Sequence, residues 1–106
     1  MTLATLLSQL ETSGLPVAYD HFPAKACPNP PFAVFRELGT NNFGADDKVH
    51  QKIRRIEVEL ITIGKDEASE AALEETLSFT FWNQTESYTE DEKTWSTFYE
   101  FEILGG

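Results

Sequence analysis

Near the start of the chain Leu3, Leu6, Leu7 and Leu10 fall at i, i+3, i+4 and i+7. That spacing lines one face of a helix, because a helical turn takes 3.6 residues. Gly14 stands where a left-handed C-terminal cap belongs, so the pattern predicts a helix over residues 2–13. Residues 15–22 read as a short strand, with Pro16 marking a sheet edge or a strand start. Pro23, Pro28, Pro30 and Pro31 then make 23–31 a stiff, extended connection. Residues 32–38 are aromatic and β-branched enough for a strand. Residues 39–48 contain Asn41, Asn42, Gly44, Asp46 and Asp47, the chemistry of a loop.

The clearest period-two signal lies in residues 49–63, the longest predicted strand. There Ile56, Val58 and Leu60 alternate with Arg55, Glu57 and Glu59, so one face is apolar and the other charged. Gly64-Lys65-Asp66 breaks the strand, with Asp66 as helix N-cap. Residues 67–78 predict a second helix. Glu67 and Glu70 lie in its first turn, where the dipole favours anions. Ala68, Ala71, Ala72 and Leu73 form a small-residue face expected to sit close on a sheet. Residues 81–88 predict a strand with aromatic contacts at both ends, followed by the polar turn Thr89-Glu90-Asp91-Glu92. Trp95, Thr97, Tyr99, Phe101 and Ile103 alternate with Ser96, Glu100 and Glu102, a second long half-buried strand whose outward face also carries Phe98 and Leu104. The expected fold is α+β: a mostly antiparallel four- to five-stranded sheet with two helices packed on one face.

The chain's 106 residues suit a single domain, 1–106, large enough to bury a core without metal or disulfide staples. With 41% apolar residues it is not a disordered acidic tail. Its formal charge is −10, which argues against phosphate-backbone binding and against an anionic membrane as partner. The charge is uneven. Residues 1–65 hold seven acids and seven bases, whereas residues 66–106 hold eleven acids and one base, Lys93. The excess reads either as a solvated face that aids solubility or as a surface with an electrostatic role.

Candidate chemistry is sparse. Cys27 is the single cysteine, so no intrachain disulfide forms, which fits a reducing compartment. It sits in a proline-rich loop with His21 nearby but no third group to orient a base. Neither a basic-then-apolar leader nor an apolar run of membrane-spanning length is present. Asn83-Gln84-Thr85 matches a glycosylation acceptor, which carries little weight without such a leader. His21 and His50 read as polar residues at a strand edge or an interface, and Asp46-Asp47 as a turn without the ligand spacing of a calcium loop. Glu57 and Glu59 read as a solvated strand face beside Arg55. No phosphate-cradling glycine motif occurs. The expectation is a non-enzymatic protein with no metal and no cofactor. Its bases cluster: Lys48, Lys52, Arg54 and Arg55 open the long strand. A basic patch and an acidic patch on one chain either pair internally or join copies head to tail, and head-to-tail contacts close into rings when the rotation permits.

Leu15-Pro16-Val17-Ala18-Tyr19-Asp20-His21-Phe22-Pro23, followed by Pro30-Pro31-Phe32, resembles a family of small morphogenesis proteins of long-tailed (siphovirus-type) phages and Gram-positive prophages. So does the run from Asn42-Phe43-Gly44-Ala45 through Lys48-Val49-His50-Gln51-Lys52 into Ile56-Glu57-Val58-Glu59-Leu60. Glu86-Ser87-Tyr88, Glu92-Lys93-Thr94-Trp95 and Tyr99-Glu100-Phe101-Glu102-Ile103 complete it, so the likeness spans nearly the whole chain in order. These are head–tail completion or tail-terminator proteins. The resemblance implies a small α/β sandwich that assembles as a ring, commonly hexameric, at the end of the tail tube. Such a ring stops tube growth and offers a docking face to the head connector. It implies virion localisation after synthesis in the bacterial cytoplasm, with tail-tube and head-connector proteins as partners. DNA passes through such a ring without specific binding, and the family carries no catalytic residues. On this footing Lys48, Lys52, Arg54 and Arg55 are the candidate subunit interface. Glu86, Glu90, Asp91 and Glu92 are the candidate acidic lumen or docking face, where carboxylates would repel phosphates. Residues 39–48 are the expected segment to order on assembly, and the free protein is expected as a monomer or a ring. The competing reading is an acidic DNA mimic that occupies the DNA site of an enzyme. Such a mimic needs carboxylates in one long row, and the neutral first 65 residues disfavour it.

Overall fold

The computed structural model describes residues 1–45 and 48–105, except for the side chains of Phe43, Ala45, Lys48, Val49 and His50. Its elements in chain order are α1 (Leu3–Glu11), β1 (Val17–Tyr19), β2 (Phe32–Thr40), β3 (Phe43–Ala45), β4 (Lys48–Gln51), β5 (Ile53–Thr62), α2 (Glu67–Thr76), β6 (Trp82–Thr89) and β7 (Thr94–Leu104). Five strands form one sheet in the order β1-β2-β5-β7-β6, and β3 and β4 form a separate two-stranded ribbon. Only β1 runs parallel to its neighbour; the other pairings are antiparallel. The expected α+β architecture, with both helices on one sheet face, is the observed one.

Register explains how the strands share a core. Phe35 stands opposite Val58, Val58 opposite Tyr99, and Phe101 opposite Trp82. Side chains of one parity therefore collect on one face. Ala33, Phe35, Ile56, Val58, Leu60, Tyr99, Phe101 and Ile103 are buried there beneath Leu6 and Leu10 of α1 and Leu73 and Leu77 of α2. The other face carries Val34, Arg36, Glu57, Glu59, Phe98 and Glu100 and has no helix over it.

Both helices start on side-chain caps. Thr2 accepts from the Thr5 amide at 3.1 Å. Asp66 accepts from the Ser69 amide at 3.1 Å and from the Ser69 hydroxyl at 2.7 Å. Those bonds favour the carboxylate, the amide bond most, and hold Asp66 below the ordinary aspartate range. Helix α1 loosens over Thr12, Ser13 and Gly14, whose amides each bond three residues back, and Gly14 takes the left-handed φ of 86°.

Three expectations need correcting. Residues 39–48 are not one loop: β2 runs on to Thr40, and Phe43–Ala45 and Lys48–Gln51 are paired strands. The predicted long strand is divided at Lys52, because the chain changes partners there. Strand β4 pairs with β3, whereas β5 pairs with β2 and β7. The Asn41 amide donating to the Ile53 carbonyl at 2.8 Å and the Asn42 Oδ1 accepting from the Ile53 amide at 3.3 Å pin that junction. In α2, Ala68 and Ala71 are exposed, and the buried residues are Glu70, Leu73 and Thr76, with Leu77 just beyond. Helical spacing places the leucines, not the alanines, on the sheet side. The remaining predicted elements differ only in their ends: β1 spans three residues and α2 stops at Thr76. The calcium-loop comparison at Asp46 and Asp47 falls outside the described residues.

Candidate assembly surface

The basic segment does not form a single patch. Arg54 and Arg55 are successive strand residues and project from opposite faces. Arg54 lies on the helix side, mostly buried, in an ion pair with Glu37. A β-bulge lies beside this pair: Glu37 pairs with Ile56 and Gly39 with Arg55, so Leu38 has no opposite residue. Arg55 is exposed on the uncovered face, directly opposite Glu102 of β7. Lys52 is exposed at the strand junction, and its carbonyl accepts from the Gly105 amide at 2.8 Å. The side chains of Lys48 and His50 lie outside the described residues.

The acidic candidates also separate. Glu90, Asp91 and Glu92 are exposed in the turn between β6 and β7. Glu86 instead lies on the helix side of β6 and is engaged by Lys65. It belongs to a polar network that sequence reasoning missed. Lys65 Nζ also donates to Glu70 Oε1 at 2.9 Å, and Gln84 Nε2 donates to the same oxygen at 3.0 Å. The Tyr99 hydroxyl donates to Glu74 Oε2 at 2.8 Å. Glu70 is only 6% exposed, and a buried carboxylate needs such partners. The bonds to Glu86 and then Glu70 push the Lys65 pKa above the ordinary lysine value. Burial, and after it the bond to Glu74, pushes the Tyr99 phenol well above its ordinary value. The network sews α2 onto β6 and β7. Its signal was available in Glu70 and Glu74, which share the helix face of Leu73 and Leu77.

Apolar side chains are exposed at both ends of the sheet. Ile53 pairs with Leu104 and Thr62 with Trp95, which defines the two ends of the central ladder. At the Leu104 end, Phe81 is 84% exposed, and Phe79 and Leu104 are also uncovered. Phe81, Arg55, Asn41 and Glu102 line a shallow groove on the uncovered face, and Asn41 Nδ2 donates to Glu102 Oε2 at 3.2 Å. At the other end Ile63 is 74% exposed and Tyr88 is uncovered, beside the acidic turn. The molecule thus has one end with Lys52, Arg55 and aromatic side chains, and an opposite end with Glu90, Asp91, Glu92, Ile63 and Tyr88. Exposed apolar groups rimmed by charge are typical of protein-binding surfaces.

The His21 side chain is exposed and bonds Asp20 at 2.9 Å, and Cys27 is exposed. Among the described residues no three His, Cys, Asp or Glu side chains converge as metal ligands. Among those residues, too, no helix is long and apolar enough to cross a membrane.

No protein-family model matches the chain, and no curated protein matches it. Among solved structures, a chain of the virion of a native gene transfer agent particle shares the fold, with a TM-score of 0.58. The superposition covers 96% of this chain and 86% of that chain at 11% sequence identity, so the likeness is one of fold.

Proposed function

We propose that this chain is a non-enzymatic structural protein of a phage-like virion, a tail terminator or head–tail joining protein that assembles as a ring at the end of the tail tube. The observation that carries this reading is the fold shared, nearly end to end, with a chain of a gene transfer agent virion. The sequence resemblance to head–tail completion and tail-terminator proteins agrees with it. In this reading the protein's partners are its own copies, the tail tube and the head connector. It is made in the bacterial cytoplasm and retained in the virion.

The polarity of the molecule suits head-to-tail contacts. The end bearing Lys52, Arg55, Phe81 and Leu104 on one subunit faces the end bearing Ile63, Tyr88, Glu90, Asp91 and Glu92 on the next. Opposite charges steer and orient such a contact, and the apolar side chains supply the area removed from water. A heterologous joint of this kind closes into a ring if its rotation divides the circle. Acids left on the inner wall would keep DNA moving rather than bound. The DNA-mimic alternative gains no support, since the acids are divided among α2, both faces of β6 and β7, and one turn.

Imaging particles made without this protein tests the role. Overlong or headless tails support termination, and tails of normal length that fail to join heads support a joining step. Complete, normal particles would refute both.

A further inference from the structure

Strand β6 is the open edge of the five-stranded sheet. It pairs with β7 without a bulge from Trp82 to Thr89. Among the described residues, no backbone or side-chain group hydrogen-bonds to the backbone on its other side. Residues 83–89 are all exposed. The opposite edge is blunt by comparison: β1 has three residues, follows Pro16, and is followed by Asp20, whose left-handed φ is 64°. Long edges are normally guarded by lysine, proline or a bulge, because their free amides and carbonyls template further pairing. Strand β6 has no lysine, proline or bulge, and of the charged side chains that also guard edges it has one. Its one charged residue, Glu86, is held by Lys65.

The side-chain order of β6 is self-complementary in a single register. Two copies paired antiparallel about a two-fold axis keep their helices on the same side, so residues of like parity must stand opposite. Centring on Glu86 sets two carboxylates against each other, which is unfavourable. Centring on Gln84 sets Trp82 against Glu86 of the second copy. Centring on Thr85 sets Trp82 against Tyr88, Asn83 against Ser87 and Gln84 against Glu86 of the second copy. Those are an aromatic pair and two hydrogen-bonding pairs, with threonine on threonine at the axis, and favourable cross-strand pairs of this kind set register. Each acidic turn then lies beside the uncharged residues 78–81 of the other copy, far from its own like.

We propose that β6 joins β6 of a second copy in antiparallel pairing, with Thr85 on the two-fold axis, to give a continuous ten-stranded sheet. This joint concerns the free chain and does not rest on the virion reading; Tyr88 is the one side chain shared with the end-to-end contact proposed there. A single-strand joint buries little area, so the dimer is weak and appears at high protein concentration.

Disulfide trapping tests the register, in a Cys27→Ser background that removes the native thiol. Thr85→Cys is expected to give a covalent dimer on mild oxidation, and Ser87→Cys is not, because the two positions 87 lie four residues out of register. Sedimentation of the native chain over a concentration series is expected to show the mass rising toward a dimer. Thr85→Lys, with an unchanged circular dichroism spectrum, is expected to remain monomeric. Equal trapping at positions 85 and 87, a native chain that stays monomeric throughout, or unchanged association of Thr85→Lys would each overturn the proposal.

Discussion

The hydroxyl of Tyr99, on the central strand β7, donates to Glu74 of helix α2 at 2.8 Å, across a ring that is otherwise wholly buried. This is the point at which a core aromatic finds its polar partner and the helix is tied to the sheet. Tyr99→Phe keeps the ring and its edge contact with Trp82, whose centroid lies 5.3 Å away, and removes the hydroxyl that donates to Glu74 and accepts from Gln84 at 3.4 Å. The expected loss is about 1.5 kcal/mol, read as a lower urea midpoint. The raised phenol pKa adds a pH signature. Unfolded tyrosine releases its proton near pH 10 while the folded chain retains it, so stability should fall as pH rises beyond about 10. Tyr99→Phe should flatten that decline. The raised Lys65 pKa acts in the same direction and leaves a residual slope.

At the acid end the relevant group is Asp66. Its carboxylate caps α2 and its pKa is lowered, so its contribution is present above the ordinary aspartate value and is lost as pH falls below about 4. Asp66→Ala should cost about 1 kcal/mol at neutral pH. Asp66→Asn should keep most of the cap while removing this part of the acid dependence. Denaturant midpoints between pH 7 and pH 3 distinguish the two.

The two adjacent arginines should behave oppositely. Arg54→Ala leaves Glu37 mostly buried without its cation and should destabilise the fold by about 1–3 kcal/mol. Arg55→Ala, at an exposed position, should change stability by less than about 0.5 kcal/mol. In the ring reading it should nevertheless lower the amount of protein that co-purifies with tails. Equal effects of both substitutions on stability would contradict the assignment of the two faces.

On the uncovered face Glu57 stands directly opposite Glu100, with Arg36 offsetting only Glu57. Glu100→Gln should therefore raise stability by about 0.2–1 kcal/mol. Glu102→Gln should lower it, because Glu102 faces Arg55 and accepts from Asn41. Thermal melts of the two variants give the comparison.

The elements that were legible in the sequence are those with one dominant period. Ile56, Val58 and Leu60, and Trp95 to Ile103 by twos, announced their strands because one face meets helices and the other meets water. The leucine stripe of α1 did the same. Residues 39–48 misled because Asn and Gly favour turns locally, while the β3–β4 pairing is satisfied by partners eight or fewer residues away that no periodicity marks. The alanines of α2 misled because small size suggests close packing, whereas burial followed the leucines. The Lys65–Glu70–Glu86 network was hidden because its members come from a turn, a helix and a strand, which only the register of β6 on β7 brings together. The charge imbalance between the two parts of the chain was visible at once. Its meaning was not: some of those acids hold α2 in place, and three of them mark one end of the molecule.

The proposal that this chain forms a ring in a phage-like virion is decided by a cryo-electron microscopy reconstruction of the neck of purified particles. The expected map shows this fold in symmetric copies between the tail tube and the head, with the Arg55–Phe81 end of each copy against the Ile63–Glu90 end of the next. Purified, complete particles that lack this chain at the junction would contradict it.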